Sequence, residues 1–432
     1  MPDFTHGFTI DASKCKGCLA CMRACPTKAV RVHDGKASLL PYLCVDCGSC
    51  LRVCSSGAIK PTTLSFAELD KFKFKVAVPS PVLFGQFPMA VSCDHLVEGL
   101  KSIGFDAVWD YEVELALINR ATSEYIEKWQ GPFPLISNTC PVVVRLIQVS
   151  YPEMVDQVLQ IQPPRELAGR DLKQNYAREH GISPDEIAAV YITPCQAKTI
   201  SILEPAEQTK SHLDGALGIS EVYNDVLVAA RALRKKEKAP SKGPGCKTGM
   251  VRWATSRWLC PELSRHRSMY VSGLSNIIQV FNDIEKGKLR NIDYIECWTC
   301  WDGCIGGNLT VDDVYITRSK INRLQAELPA YDPDLEKKVK LRFPNEDFAL
   351  KGRLRTRNRG DRAYDLKEQV KRIKNEEAVL KALPSLDCGL CGAPTCKSLA
   401  EDIARGDAKQ SDCVFYSNER LKQLRKIYMH NH

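Results

Sequence analysis

The sequence predicts an α/β fold of parallel strands flanked by helices, preceded by a cysteine-rich module and followed by a small four-cysteine domain. Three observations predict it. From about residue 72 to 320, short apolar runs alternate with longer helical patterns. The first 54 residues hold two copies of one cysteine run. A third set of four cysteines, spaced differently, lies after residue 387.

A chain of 432 residues is long enough for two or three domains and at least one large core. Its hydrophobic content of 44% and charged content of 26% are ordinary, but its twenty cysteines are not. The opening MPDFTHGFTIDASK has no apolar core of a secretory signal. No run approaches the length of a spanning helix, so no membrane partner is expected. The expected compartment is the reducing cytoplasm, where dense cysteine points to metal or catalysis rather than structural disulfides. Net charge is +8, concentrated from Lys351 to Lys381, where eleven Lys and Arg face five Asp and Glu. That stretch includes RLRTRNR. With no aromatic residues interleaved, it reads as a solvated linker and helix face, not a nucleic-acid surface.

The N-terminal cysteines are the most specific text. Residues 15–25 read CKGCLACMRAC and residues 44–54 read CVDCGSCLRVC. Both are C-x2-C-x2-C-x3-C, the spacing of a two-cluster 4Fe-4S ferredoxin, in which the fourth Cys of each run serves the other cluster. Cys15, Cys18, Cys21 and Cys54 are assigned to one cubane. Cys44, Cys47, Cys50 and Cys25 are assigned to the other. Zinc rarely needs eight cysteines in two equal runs. Ser55 stands where a proline usually follows the last Cys.

In the middle region FKVAVP, PLISN, IAAVYITP and DYIEC read as strands, with DHLVEGLKSIGF and PVVVRLIQVSY as helices between them. In such sheets chemistry sits beyond the carboxyl ends of strands. Three cysteine motifs fall there. Cys140 precedes Pro141, which places Cys140 at a helix N-cap. Cys195 follows YIT, with Lys198 one helical turn on. Cys300 and Cys304 follow DYIE. A helix N-terminus favours an anionic thiolate or cluster, and four cysteines on three loops could close around one cubane.

These motifs resemble the active-site motifs of the iron-only (di-iron) hydrogenases: Cys140-Pro141; Pro194-Cys195 with Lys198; and Glu296 with Cys300-x3-Cys304 before Gly306-Gly307. VPSPV at 78–82 and GFDAVWD at 104–110 resemble further landmarks of that family. The resemblance covers roughly residues 10 to 310. It implies a two-lobed hydrogenase domain of parallel sheets flanked by helices, with a ferredoxin-like α+β domain before it. It also implies an H-cluster, in which Cys140, Cys195, Cys300 and Cys304 hold a cubane. Cys304 would bridge to a di-iron unit bearing CO, cyanide and azadithiolate. Lys198 and Ser80, after Pro79, would contact that unit. The reaction implied is the interconversion of protons and electrons with dihydrogen. The partners implied are a ferredoxin or another electron-transfer protein and the hydrogenase maturation proteins.

The sequence also departs from the family. Thr139 stands where catalytic members have a proton-shuttling Cys. Two carboxylates of the usual relay align with Arg120 and Ser123, and a serine aligns with Leu159. Pocket methionines align with Thr193 and Trp298. A thiol with pKa about 8.5 exchanges protons near neutrality, whereas a threonine hydroxyl can act only within a chain. Losing positioned proton transfer costs on the order of 10²–10⁴ in rate. Glu296, Cys297 and Cys93 are candidates for another route; for Cys93, Cys246 and Cys260 a structural role is the stronger expectation.

Near the C-terminus, DLKEQVKRIKNEEAVLKAL reads as an amphipathic helix with Leu366, Val370, Ile373 and Leu380 in register. Beyond it Cys388, Cys391, Cys396 and Cys413 are spaced C-x2-C-x4-C-x16-C. Four-Cys zinc fits that spacing alone. The pattern CGxCGxPxC resembles the small 4Fe-4S domain of Rnf-type electron-transfer and corrinoid iron–sulfur proteins. It is also found in the sensory branch of iron-only hydrogenases, often before a PAS domain. With the sequence ending at His432, any output domain is expected on a separate signalling partner. The expected domains are 1–68, a two-cluster ferredoxin-like domain; 69–330, the H-cluster domain; 331–382, a basic linker and helix; and 383–432, a four-Cys iron–sulfur domain. The functional expectation is a slow, hydrogen-sensing hydrogenase. The alternatives are an ordinary ferredoxin-dependent hydrogenase with another proton path, or a non-catalytic iron–sulfur assembly or electron-transfer relative without the di-iron unit.

Overall fold

Cysteine-bearing turns, not large apolar side chains, organise the first 61 residues. The computed structural model of the chain describes residues 5–206, 210–236, 250–251, 253–255, 261–327, 333–357 and 366–417. They fall into two compact units, one within 62–357 and one joining the residues before 62 to those after 357.

In the joined unit, β1 (Phe8–Ile10) pairs antiparallel with β4 (Ile59–Pro61). Strands β2 (Val30–His33) and β3 (Lys36–Leu39) form a hairpin. Its turn is Asp34-Gly35, both at positive φ (51° and 70°), the pairing that a two-residue turn between twisted strands favours. The short helices Ala20–Ala24 and Ser49–Arg52 each carry the third cysteine of a run. The core there consists of Phe8, Met22, Val30 and Ile59 together with Cys21, Cys44 and Cys50.

The C-terminal part adds two packed helices, Leu366–Ala382 and Cys396–Arg405. Thr395 caps the second by accepting from Ser398 N, and Gly406 ends it at φ 86°. The first helix forms where expected, but its buried stripe differs. Val370 and Ile373 are 44% and 55% exposed. Leu380 packs as expected, with Val379 and Leu383 beside it. The domain they cover is too small to reach beyond the helix's last turns.

The other unit holds two parallel sheets. In the first, β5 (Phe74–Pro79), β6 (Ala107–Val108), β8 (Ile187–Thr193) and β9 (Gly215–Gly218) lie in the order β6-β5-β8-β9. In the second, β7 (Leu135–Ile136), β10 (Ser268–Ser272) and β11 (Tyr294–Trp298) lie in the order β10-β11-β7. Every pairing in both sheets is parallel. Strand β8 is buried at all seven positions, as expected of a strand covered on both faces. The helix Cys93–Ser102 packs on Ile219–Lys236 to cover this sheet. Ser92 begins it by accepting from His95 N.

The expected linker divides between the units. The helix Pro333–Arg342 packs against Glu112–Lys128, and Arg342 bonds Asp171 at 2.5 Å. The basic run is not a free solvated linker at its start. Gln148 accepts from Arg357 N and donates to Arg355 O, at 3.0 and 2.7 Å through its backbone oxygen and side-chain amide. Asn358 and Arg359 lie outside the described residues, as do Cys246 and Cys260.

Leu100 is wholly buried in the main core. Leu100→Ala should lower unfolding stability by about 2–5 kcal/mol, read as a shifted denaturant midpoint. An unchanged midpoint would contradict this packing.

Candidate metal centre and its cavity

Five residues emerge beyond the carboxyl ends of four parallel strands. Ser80 follows β5, Cys140 lies beyond β7, Cys195 beyond β8, and Cys300 and Cys304 beyond β11. Cys140 is the N-cap of the helix Pro141–Ser150, with Pro141 first in the helix. Cys195 is the N-cap of Gln196–Leu203. Thr193 holds that turn: its hydroxyl donates to Cys195 O at 2.9 Å and accepts from Cys195 N at 3.3 Å. It is thereby spent on backbone rather than on a ligand.

The paired glycines have a steric reason. A Cβ on Gly307 would lie 2.3 Å from Pro194 O, and one on Gly306 2.4 Å from Trp301 O. Only glycine lets this loop press against the backbone just before Cys195. Leu309 N donates to Pro194 O at 2.8 Å and locks the approach. Charge on Cys140 and Cys304 is felt by Cys195, and charge on Cys140 by Cys304, so these thiols from three loops face one another. Cys300 lies half-buried in the Cys304 loop.

Burial pushes the Cys195 thiol up to about 11, with the Lys198 ammonium opposing it. Burial likewise raises Cys304. Lys198 is enclosed, and burial alone would weaken its charge. Cys304, Tyr191 and Cys195 override this and hold it above the ordinary lysine value. Its Nζ donates to Cys304 Sγ at 3.1 Å. Thiols this buried become ligands only when a cation replaces their protons.

Beside Cys304 opens a cleft of about 400 Å³, lined among others by Ser80, Thr139, Lys198, Arg165, Trp253 and Trp298. Trp253 Nε1 is buried there without a hydrogen-bond partner, and so is Arg165 Nε, which lies 3.7 Å from Glu166 Oε1 in an ion pair. Buried donors without acceptors are costly. Together with the Lys198 ammonium, they suit a small group carrying anionic acceptors. The four thiols suit a cubane. A closed tetrahedral zinc site would need neither the cleft nor its donors. The residues therefore fit an iron–sulfur centre with an adjoining anionic group. Arg165 and Trp253 are absent from the sequence-based expectation. The Pro163-Pro164 helix start before Arg165 was the available signal; nothing local marks Trp253.

A second cavity is lined by Glu296, Asn119, Thr122, Asn138, Thr139 and Leu159, among others. Thr139, Trp253 and Trp298 line both cavities. Glu296 is fully enclosed, and burial pushes its carboxyl up to about 7, with the Trp298 side chain opposing. Cys297 differs from the expectation for a route residue. It alternates to the other face of β11, is 0% exposed, and lines neither cavity. Burial, then charge on Cys140 and Glu296, raises its thiol. Cys93 is disulfide-bonded, so it offers no thiol proton. Pro79 ends β5 and is buried, but it is not part of the lining of the cleft beside Cys304.

The aligned relay positions are otherwise engaged. Arg120 pairs with Glu124 at 3.4 Å and lies over the Phe343 ring, 4.2 Å from its centroid. Ser123 contacts His266 Nε2 at 2.7 Å and accepts from Arg265 Nη2 at 2.8 Å. Leu159 is 3% exposed and apolar.

The other cysteines gather in fours. Cys15, Cys18, Cys21 and Cys54 line one cavity. Cys25, Cys44, Cys47 and Cys50 are linked by mutual charge effects. Backbone N–H groups approach sulfur in both groups: Ala37 N to Cys15 at 3.4 Å, Ala29 N to Cys25 at 3.2 Å and Asp46 N to Cys44 at 3.4 Å. Cys388, Cys391, Cys396 and Cys413 line a third cavity.

A family model of the C-terminal domain of the iron-only hydrogenase large subunit matches residues 73–249 and 261–308. A 4Fe-4S dicluster model matches 8–55, and a model described as a putative Fe-S cluster matches 383–415. The periplasmic [Fe] hydrogenase large subunit of Nitratidesulfovibrio vulgaris is 29% identical over 224 residues, covering 47% of this chain and 53% of that protein. The NADP-reducing hydrogenase subunit HndD of Solidesulfovibrio fructosivorans is 22% identical, covering 55% and 45%. The chain spans about half the length of these two relatives. A probable cytosolic Fe-S cluster assembly factor of Brugia malayi is 21% identical, covering 75% of this chain and 84% of that protein. A solved [FeFe]-hydrogenase from a study of H-cluster inactivation by oxygen aligns with TM-score 0.50 and 18% identity. It covers 67% of this chain and 97% of its own. No helix among the described residues is long and apolar enough to cross a membrane.

Cys54→Ser should alter one N-terminal cluster signal in electron paramagnetic resonance and leave the other. Loss of both, or of neither, would contradict the exchange of fourth cysteines between the two runs.

Proposed function

Because the chain belongs to the iron-only hydrogenase large-subunit family, we propose that it interconverts protons, electrons and dihydrogen slowly, at an H-cluster, in a hydrogen-responsive regulatory role. The observation that carries this reading is the cleft beside Cys304, lined by the Lys198 ammonium and by Arg165 and Trp253 N–H groups that make no hydrogen bond. When bound there, the cluster supplies the redox chemistry of dihydrogen.

The chain's residues have distinct tasks. Cys140, Cys195, Cys300 and Cys304 would ligate the cubane, with Cys304 nearest the cleft. Lys198 would hold an anionic ligand by its ammonium, Arg165 and Trp253 by N–H groups, and Ser80 would close the wall. Trp298 would fill the space between the two cavities. The clusters of the N-terminal module and the C-terminal site would exchange electrons with a ferredoxin-type partner. Loading the centre would require the hydrogenase maturation proteins.

The proton route is where this chain differs. Thr139 can relay a proton only if something beyond it donates one. Glu296 shares a cavity with Thr139 and keeps its proton up to about pH 7. It supports a route from Glu296 to the Thr139 hydroxyl and into the cleft. Below that pH the carboxyl donates; above it, the carboxylate can only accept. Such a route is slow beside a thiol relay, and slow turnover suits a protein that reports hydrogen to a separate signalling partner. That role needs two states with different affinity for the partner. A non-catalytic reading also has support, because the assembly-factor relative aligns over most of its length. Such a protein needs the cysteines but gains nothing from the cleft.

Hydrogen–deuterium exchange by the matured protein tests the reading; complete inactivity under reducing conditions would contradict it. Thr139→Cys alone should leave turnover far below that of fast hydrogenases, because Leu159 and Arg120 still interrupt the usual relay. Turnover matching those enzymes would refute this. Glu296→Gln should slow proton reduction on the order of 10² and erase a fall in rate as pH rises through about 7. An unchanged pH profile would remove Glu296 from the route.

A further inference from the structure

We propose that the C-terminal four-cysteine site is an electron port fixed to the N-terminal module, exchanging single electrons with the cluster of Cys15, Cys18, Cys21 and Cys54 through the contact of Gly392 with Val32. The proposal rests on the iron–sulfur reading of both four-cysteine sites and not on the di-iron chemistry.

The two pieces are far apart in sequence and joined by a buried clamp. Arg31 and Asp402, 371 positions apart, form a two-pronged ion pair, Nε to Oδ2 at 2.5 Å and Nη2 to Oδ1 at 3.0 Å. Their side chains are 3% and 7% exposed. Arg31 Nη1 also donates to Lys28 O at 2.6 Å and Val30 O at 3.2 Å. A buried guanidinium so fully used orients two surfaces; Asp402 also pairs with Arg405 within its own helix, so the part of the clamp that joins the two pieces is carried by Arg31.

The clamp brings the ligand loop itself into contact. Val32 N donates to Gly392 O at 2.9 Å. A Cβ on Gly392 would lie 2.1 Å from Val32 O, and this glycine has φ +83°. Gly389, at φ +77°, would place a Cβ 2.8 Å from the Met22 methyl. Gly389 lies between Cys388 and Cys391, and Gly392 directly follows Cys391. Met22 is buried between Cys21 and Cys25 in the chain. Val32 lines the cavity formed by Cys15, Cys18, Cys21 and Cys54. The covalent and hydrogen-bonded path therefore runs from Cys391 through Gly392 to Val32 and into that cavity. Glue alone could use any surface. Here the two glycines that permit close approach flank the ligand cysteines.

One electron leaves the reduced C-terminal cluster and reduces the oxidised N-terminal one, or the reverse, with no bond made and no proton moved.

The test uses the full iron-loaded chain, reduced with dithionite, and follows electron paramagnetic resonance with metal and sulfide analysis. Signals broadened by spin–spin interaction between the two clusters are expected. In the double variant Arg31→Gln, Asp402→Asn, and separately in Gly392→Ala, the spectrum should become the sum of isolated clusters at unchanged iron content. The proposal is overturned if the unmodified chain, fully loaded, shows no interaction. It is also overturned if the interaction persists in both variants, or if the C-terminal site holds zinc.

Discussion

The structure depends on assembling thiols that burial and mutual repulsion both oppose. Burial raises the thiols of Cys195 and Cys304 in one unit and of Cys21, Cys44, Cys47 and Cys50 in the other. Each group becomes favourable only when metal takes the place of protons. In the N-terminal module the consequence is direct, because cysteines stand among the core residues themselves. Metal bound there would complete that core.

The parallel sheets answer the same problem in the larger unit. Their strands supply separate loops at their carboxyl ends, and helix N-termini begin at Cys140 and Cys195. Those termini favour negative charge. The glycine pair after Cys304 then closes the loop onto Pro194. Sheet topology, helix dipoles and a steric requirement thus act on one small volume. Lys198 adds the only formal positive charge within hydrogen-bond reach of Cys304 among the described contacts. The same volume is short of proton carriers. Thr139 offers only a hydroxyl, Leu159 presents hydrocarbon, and Ser123 is held by His266 and Arg265. Glu296 carries the carboxyl group that shares a cavity with Thr139.

Much of this was legible in sequence because cysteine spacing is a short-range code. The two four-cysteine runs at the N-terminus, the N-cap position of Cys140 and the turn from Cys195 to Lys198 each follow from local geometry. The strands FKVAVP and IAAVYITP were equally plain, being apolar, short and bounded by proline. Other features depend on distant partners. Arg165 and Trp253 acquire meaning only when folding brings them to the cleft. Cys297 was misjudged because adjacency in sequence is not adjacency in space: along a strand, neighbours face opposite ways. The helix Leu366–Ala382 and the contact of Leu380 follow from its periodicity, but Val370 and Ile373 stay exposed, because the extent of the small partner domain decides which turns are covered. The ion pair of Arg31 with Asp402 joins residues 371 positions apart, which no local pattern reveals.

The central claim is that the cleft beside Cys304 receives a di-iron unit with anionic diatomic ligands. Infrared spectroscopy of the anaerobically matured protein, with and without dihydrogen, tests it most directly. CO and cyanide bands that shift when dihydrogen is admitted are expected. A preparation showing no such bands, with maturation proven on a known hydrogenase in parallel, would contradict it.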